Sequence, residues 1–503
     1  MASTFANNGA HWRLRSDGNE LNGGGFDPFV SGAGTDYTDQ AAAVIDSTTG
    51  TCTVGSTTWT DAGVTFPSDI VGNVVRISAK TGGSAIALDY FVVTGWTDAN
   101  NIVLDRTPCA AANITAATYR IGGAFVSFKQ FASSATGTAG TPALATPILP
   151  GNRIYVRGDG SNLPAVATFD FSGIGGVWTV PDGVRLASGQ GEIHVIGYNG
   201  RPRIDHCGQT LKSFQWTFRG ISFFRKTNSN GGAFHQNVSS GSVGTVNFCV
   251  FDQNGFDDCE FQGSYGNVLF SKFMNTGGGA AGSVVVCQMV HPGSAIIGCE
   301  FRGVRGPAIR TSSSSGANST TFAEIAYNYI VDCLSDGIVI HVSNFPYCYA
   351  IFNNTIANNG GDGVKLLAGS LACTTMFNNI ISGNGGYGVS TVDSATLNRR
   401  LKRMFMGHNN LVDNASGDFD ANWQADPTDI SVDPGFANAD GGNYATGPAM
   451  QGIGLSGMDG YLGAAPNLIN IGAYQGIPLG GGPIAGFPPG GGRSPLIFGR
   501  LAA

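Results

Sequence analysis

The chain has 503 residues, a formal net charge of −7 and only 12% charged residues, with glycine at 77 positions. Hydrophobic residues make up 42% of the chain, which excludes a disordered protein, and glycine lacks the three-residue period of collagen. No apolar run is long enough to span a membrane, and an acidic chain without a basic stripe is a poor partner for nucleic acid. Residues 1–15 hold no apolar core of a secretory signal, so we expect no export by a signal peptide and no membrane or nucleic-acid partner.

The ten cysteines predict buried thiols rather than disulfides or a metal site. There is no CxxC pair and no HExxH helix, and the seven histidines are scattered. Cys249, Cys287 and Cys299 lie inside apolar strand patterns, where a free cysteine behaves as a small hydrophobic residue. We therefore expect no metal and no cofactor, and synthesis in a reducing compartment.

Two regions precede the main body of the chain. Residues 1–40 are polar and glycine-rich without a helical or strand period, which indicates an extended N-terminal arm that needs a neighbour to lie on. Residues 41–124 hold short Val- and Ile-rich runs, NVVRIS, FVVTGW, NIVLDR and TYRIGG, bounded by turn residues. This pattern predicts a small antiparallel β-domain.

A repeat begins near residue 125 and predicts the fold. Successive copies each hold an apolar strand, a glycine- or asparagine-rich turn and, in most copies, a second apolar strand. The hydrophobic residues that end the first strand recur at steps of 29, 26, 25 and 31 residues: Phe301, Ile330, Ile356, Ile381 and Val412. A period of this length without helical stretches indicates a β-solenoid, in which coils about 4.8 Å apart bury one another's apolar faces.

Stacked coils bring equivalent residues into columns along the axis. Two positions before the aligned hydrophobic residue, the column should point inward and form a structural ladder of amides: Asn328, Asn354, Asn379 and Asn410. The residues between should point outward, and several are apolar there: Tyr329, Ile380 and Leu411. Because exposed apolar stripes usually mark an interface, we expect this face to pack against another chain or a returning segment.

Punctuating motifs at both ends of the repeat resemble a known family. PGNRIYVRGDG (150–160), EIHVIGYNGRPRID (192–205) and WTFRGISF (216–223) resemble the opening coils of right-handed parallel β-helix proteins of the pectate-lyase-like superfamily. Residues 431–476 resemble that superfamily's closing segment. The resemblance implies an all-β chain: a right-handed parallel β-helix over 125–425, a closing segment over 426–476, and a Gly/Pro-rich C-terminal tail over 477–503.

The same motifs carry less information about function, because this fold hosts enzymes, adhesins and viral fibres alike. RSDGNELNGGGF near the N-terminus resembles the leader of β-helix proteins encoded by tailed bacteriophages. This implies a virion structural component: a spike, fibre or head-decorating protein, made in the host cytoplasm and assembled as a homotrimer. Its terminal arms would bind other virion proteins, and its surface would contact host glycans.

Two alternatives remain open, a tailspike-type polysaccharide depolymerase and a non-catalytic glycan-binding adhesin. A hydrolase needs two carboxylates at the scissile bond, and a lyase needs an acidic calcium cluster with a basic residue. The candidate catalytic residues lie in FDDCEF and in a strand that follows one or two coils later: Asp257, Asp258, Glu260 and Glu300. No aligned column of acids supports them, so we expect a structural protein rather than an enzyme.

Overall fold

The architecture comes from a computed structural model. It describes residues 10–82, 90–126, 152–158, 164–170, 177–178, 193–199, 201–205, 210–212, 216–224, 234–237, 243–247, 249–252, 259–262, 265–274, 287–289, 295–311, 322–340, 348–367, 373–391, 405–421, 423, 425–440 and 443–450. The strands are numbered β1 to β38 in chain order.

Three long sheets wind along one axis, and consecutive strands of the chain pass from one sheet to the next. The order in sheet I is β2 (Gly25–Phe26), β1 (His11–Leu14), β9 (Arg153–Arg157), β12 (Ile193–Tyr198), β15 (Trp216–Arg219), β18 (Val243–Asn247), β21 (Tyr265–Leu269), β24 (Ala295–Ile297), β27 (Phe322–Ala326), β30 (Cys348–Phe352), β33 (Cys373–Phe377) and β36 (Phe405–Gly407).

Sheets II and III each hold ten strands and complete every coil. Sheet II contains β10 (Pro164–Asp170), β13 (Arg201–Asp205), β16 (Ser222–Phe224), β19 (Val250–Asp252), β22 (Lys272–Met274), β25 (Glu300–Arg302), β28 (Tyr329–Val331), β31 (Thr355–Ala357), β34 (Ile380–Ser382) and β37 (Asn410–Val412). Sheet III contains β11 (Val177–Trp178), β14 (Thr210–Lys212), β17 (Phe234–Asn237), β20 (Cys259–Gln262), β23 (Cys287–Met289), β26 (Ile309–Thr311), β29 (Ile338–Ile340), β32 (Val364–Leu366), β35 (Tyr387–Thr391) and β38 (Gly417–Phe419).

A separate six-stranded antiparallel sheet lies at the N-terminal end. Its order is β3 (Ile45–Ser47), β8 (Ile114–Ile121), β5 (Val74–Gly82), β6 (Tyr90–Asp98), β7 (Asn101–Leu104) and β4 (Thr58–Thr60). Two short 3-10 helices, Tyr37–Asp39 and Pro448–Met450, lie outside the sheets. The predicted all-β fold, a parallel β-helix preceded by a small antiparallel β-domain, is confirmed.

The N-terminal segment, for which we expected an extended arm, contains a strand. His11–Leu14 pairs in parallel with Arg153–Arg157 and so adds a rung to the first sheet of the helix. Trp12 is fully buried, its ring stacks on Phe125 at 5.9 Å, and its edge meets Tyr90 at 6.1 Å. One continuous core therefore joins the antiparallel domain to the helix. Sequence patterning missed the strand because four residues are too short to show a period.

Hydrophobic residues stack one above the next inside the helix, as the repeat predicts. Register partners pair Phe273 with Phe301, Ile330 with Ile356, and Ile356 with Ile381, and all are fully buried. The phenyl rings of Phe273 and Phe301 stack almost flat, with centroids 4.6 Å apart. Each coil thus covers the apolar face of the coil before it.

Buried asparagines form a ladder beside this core. The Oδ1 atom of Asn354 accepts hydrogen bonds from the backbone N–H (3.0 Å) and the Nδ2 (2.9 Å) of Asn328. The Oδ1 atom of Asn379 accepts the same two hydrogen bonds from Asn354, each at 3.0 Å. Each Nδ2 also donates to a backbone carbonyl of the preceding coil, for example from Asn354 to Ile325 at 2.9 Å. The amides therefore satisfy buried backbone groups where the chain turns between sheets.

Our register for the last coil is wrong by one residue. Ile381 pairs with Leu411 rather than Val412, so the ladder continues through Asn409 and not Asn410. Leu411, which we placed outside, is 1% exposed and packs in the core. The sequence holds two adjacent asparagines followed by two adjacent hydrophobic residues, which fit either register. A shift of one residue exchanges the two faces of a strand.

Candidate functional site

Only part of the predicted acidic cluster can be placed. Asp257 and Asp258 lie outside the described residues. Glu260 lies on β20, where its backbone pairs with His235 and Gln288, and its side chain is not described. Glu300 lies on β25, with its side chain on the outer face of sheet II. The candidate site is therefore built from Glu300 outward.

Glu300 lies between two cations, Lys272 on the preceding strand of sheet II and Arg302 on its own strand. The Nζ atom of Lys272 is 2.8 Å from Oε2 of Glu300, and the Nε atom of Arg302 is 3.1 Å from Oε1. Lys272 is the register partner of Glu300 on the preceding coil, so the coil spacing itself brings these charges together. Burial raises the pKa of Glu300, but the hydrogen bonds and charges of Lys272 and Arg302 outweigh it and lower that pKa overall. The carboxylate is thus held ionised.

Arg302 links this pair to the next coil and to the C-terminal part of the chain. Its Nη1 atom lies 3.2 Å from Oδ2 of Asp332, and its guanidinium lies 5.8 Å from the ring centre of Tyr444. The hydroxyl of Tyr444 donates to Asp332 and accepts a hydrogen bond of 2.9 Å from Nδ2 of Asn358. The resulting network, from Lys272 to Asn358, joins four consecutive coils to one returning segment.

The returning segment, residues 430–440 and 443–450, covers the outer face of sheet II beyond this network. Ile380 is fully buried there against Met450, with Ile430 and Phe436 beside it. Tyr329, which we named as a candidate interface residue, packs in the neighbouring cluster around Tyr444. In the structure, this part of the predicted apolar stripe is therefore covered by the chain itself.

Asn410, which we placed in the ladder, instead holds the returning segment. Its Nδ2 donates to the carbonyl of Val432 at 2.8 Å, and its Oδ1 accepts from the N–H of Val432 at 2.9 Å. Ile430 forms a parallel bridge with Asn410. The side-chain amide of Asn410 thus makes the two hydrogen bonds that a neighbouring strand would make. These bonds hold the beginning of the returning segment against the side of the helix.

Sequence reasoning missed a second acid, Glu324, on the outer face of sheet I. Its neighbours across the sheet are Ala295 and Ala350, and burial raises its pKa to about 7. No hydrogen bond or ion pair to it is found among the described residues. A carboxyl group that is partly protonated near neutral pH can act as a general acid. The signal in the sequence is a lone Glu inside the apolar run FAEIA.

Glu300 and Glu324 belong to different sheets, so the described geometry does not form the facing pair of carboxylates that glycosidases use. Two acids in the turns before sheet III share one lysine: Lys365 lies 3.4 Å from Asp336 of the preceding coil and 3.2 Å from Asp362 of its own coil. Within the described ranges, no three His, Cys, Asp or Glu side chains are grouped to hold a metal ion. The described residues also contain no helix long and apolar enough to cross a membrane.

Comparisons with known proteins give distant structural likenesses only. No family model and no curated protein matches the chain. Pectate lyase Pel9A is similar with a TM-score of 0.38 and 15% identity, covering 65% of this chain and 88% of that one. A rhamnogalacturonan lyase gives 0.33 and 11%, covering 58% and 83%. The A-module of the Azotobacter vinelandii mannuronan C-5 epimerase AlgE4 gives 0.25 and 8%, covering 56% and 91%. At these scores the likeness carries no argument about activity.

Proposed function

We propose that this chain is a structural component of a bacteriophage virion, a β-helical spike, fibre or head-decorating protein. The observation that carries the proposal is the rigid connection between the antiparallel domain and the β-helix. Trp12 and Phe125 connect the antiparallel domain to the first coils through one buried core, and the β-helix extends from that connection in one direction. A long β-helix fixed at one end to a small domain is suited to project from the surface of a particle. The leader resemblance adds the bacteriophage context.

Two further features are suited to a virion component, which must stay folded outside the cell. The amide ladder hydrogen-bonds every coil from Asn328 to Asn409, and the segment 430–450 seals one flank. Such stacking makes unfolding slow, which is what a particle outside the cell requires. In this proposal the chain is made in the host cytoplasm, assembles as a homotrimer and binds other virion proteins through its terminal arms, while its surface contacts host glycans.

The test is the composition of purified particles. Phage from the source strain are banded on a density gradient, and peptides of this chain are quantified against the major capsid protein by mass spectrometry. We expect the chain to band with the particles at a copy number divisible by three. Its presence only in the particle-free fractions would contradict the proposal. Light scattering of the recombinant protein measures the trimer independently.

Polysaccharide cleavage is a second candidate because of one specific observation, the ionised Glu300 beside Lys272 on an outer face. If the chain is a depolymerase, new reducing ends or unsaturated uronates appear when it is mixed with host capsule or lipopolysaccharide. Glu300→Gln should then abolish the activity, while Asp336→Asn, in the ion pairs of sheet III, should retain it. Saturable binding without new ends would favour the adhesin. The particle assay and the assay for new ends together separate the three candidates, because the structural role predicts particles that contain the chain and no glycan turnover.

A further inference from the structure

Two thiols in the antiparallel domain lie much closer together than the rest of the fold requires. The Sγ atoms of Cys52 and Cys109 are 2.8 Å apart, well inside the usual separation of two non-bonded sulfur atoms. Cys52 is 4% exposed and Cys109 is not exposed, and both belong to the core of this domain. Both side chains are thus directed at each other inside the core.

Backbone hydrogen bonds fix both ends of this pair. Cys52 exchanges two of them with Ile114, at 3.1 and 2.9 Å. The carbonyl of Cys109 accepts from the N–H of Gly55 at 2.9 Å, and the N–H of Cys109 donates to Oγ1 of Thr107 at 3.2 Å. The close approach is therefore built by the pairing of strands and turns on either side. Little movement separates two thiols so placed from a covalent link.

The described cysteines of the helix are arranged differently. The Sγ of Cys299 donates to the carbonyls of Val268 and Ile297, each at 3.4 Å. The Sγ of Cys333 donates to the carbonyl of Val331 at 3.5 Å. Cys299 and Cys333 occupy positions that asparagines fill in later coils. Their thiols act there as small side chains at the start of the ladders. Cys52 and Cys109 have no such part in the stacking.

We propose that Cys52 and Cys109 form a disulfide that staples the N-terminal domain when the protein enters an oxidising environment. The co-reactant is a small-molecule disulfide such as oxidised glutathione. One thiolate attacks it and releases a thiol, and the second thiolate then attacks the mixed disulfide and releases another. Two thiol protons and two electrons are thereby transferred to the reagent, which leaves as two molecules of thiol. This inference does not depend on the proposed function.

Burial controls when the bond forms. Burial raises the pKa of Cys52 to about 12, so the reactive thiolate is scarce while the domain stays closed. Oxidation should therefore require local opening and proceed slowly in the native protein. The finished bond would join residues 57 positions apart in the chain and reduce the conformational freedom of the unfolded domain. The expected result is a rise in the melting temperature of the domain by more than about 10 °C.

The test uses the full chain, incubated with oxidised glutathione or with a dithiol reductant under a mild pulse of denaturant that lets the domain open. The samples are quenched with acid, alkylated with N-ethylmaleimide in full denaturant, digested and mapped by mass spectrometry. Peptide mapping is needed because Cys259 and Cys287 are also register partners on adjacent strands, as are Cys348 and Cys373. Intact mass alone would not distinguish the pairs.

We expect a cross-linked Cys52–Cys109 peptide in the oxidised sample and alkylation of both residues in the reduced one. Cys52→Ser and Cys109→Ser should each remove the cross-link and the gain in melting temperature, whereas Cys333→Ser, a buried thiol of the helix, should keep both. Complete alkylation of Cys52 and Cys109 in the oxidised wild-type sample would overturn the proposal. This readout on the wild type stays decisive even where a serine variant does not fold.

Discussion

Replacing Asn354 with alanine is the sharpest test of the ladder. The substitution removes the acceptor for the N–H of Asn328 and the donor for the carbonyl of Ile325. All three residues are fully buried, so water cannot replace the lost bonds. A buried polar group left without a partner costs about 1–3 kcal/mol, so the two together should cost about 2–6 kcal/mol. The missing side-chain atoms leave a cavity as well, which adds to that cost.

The matched control is Asn353→Gly, at the neighbouring position. Asn353 is also buried, but its Oδ1 has no hydrogen-bond partner in the described parts of the chain, and its φ of +54° suits glycine. The control keeps the backbone bond from residue 353 to Phe377. It therefore removes an equally buried amide without breaking the ladder.

The assay is the rate of unfolding in guanidinium, followed by far-ultraviolet circular dichroism, because stacked β-helices unfold slowly. A loss of about 3 kcal/mol corresponds to unfolding roughly 100-fold faster when the ladder is already broken in the transition state. Asn354→Ala should therefore unfold at least about tenfold faster than the control. Equal rates for the two variants would refute the view that the amide ladder, rather than simple burial, stabilises the stack.

Two more predictions concern the outer faces. Tyr444→Phe removes the hydroxyl that bridges Asp332 and Asn358. The free energy of local opening in the returning segment should fall by about 1–2 kcal/mol, so its amide hydrogens should exchange faster. Exchange in β31 should stay unchanged. The pKa of Glu324 is raised from 4.5 in the unfolded chain to about 7 in the folded one, so the native state binds more protons over that interval. Stability should thus fall as pH rises from 4.5 to 7. The difference in melting temperature between Glu324→Gln and wild type should grow in favour of the variant over this range, and a constant difference would contradict the assignment.

The fold could be predicted from the sequence because stacking makes it periodic. Ile330, Ile356 and Ile381 are consecutive register partners, as their spacing indicates. The period defines which residues share a column only while each coil offers a single alignment. Residues 409–412 fit two alignments. The returning segment covers the outer face of this strand, so hydrophobicity does not show which of its residues point inward.

The candidate site was harder to predict for a different reason. Glu300 stood out because it lies in a strand that follows the acidic run FDDCEF by one or two coils. Its partners Lys272 and Asp332 become neighbours only through coil stacking and Arg302. Glu324 shows in the sequence only as a lone Glu in an apolar run, because the burial that raises its pKa involves strands distant in sequence. Column alignment identifies side chains that share a face, but it does not show which faces the chain later covers.

The ends of the ladders show how a repeating stack is made finite. In the first ladder the last amide, Asn409, directs its backbone N–H and its Nδ2 at Oδ1 of Asp429, at 2.9 and 3.1 Å. A parallel ladder through Asn359, Asn384 and Asn414 ends when Nδ2 of Asn414 donates to Asp418 at 2.9 Å. An ionised carboxylate only accepts hydrogen bonds, so it completes the last amide without offering a donor to a further coil. In the first ladder an aspartate thus takes the place of the next asparagine, at the coil where the returning segment begins.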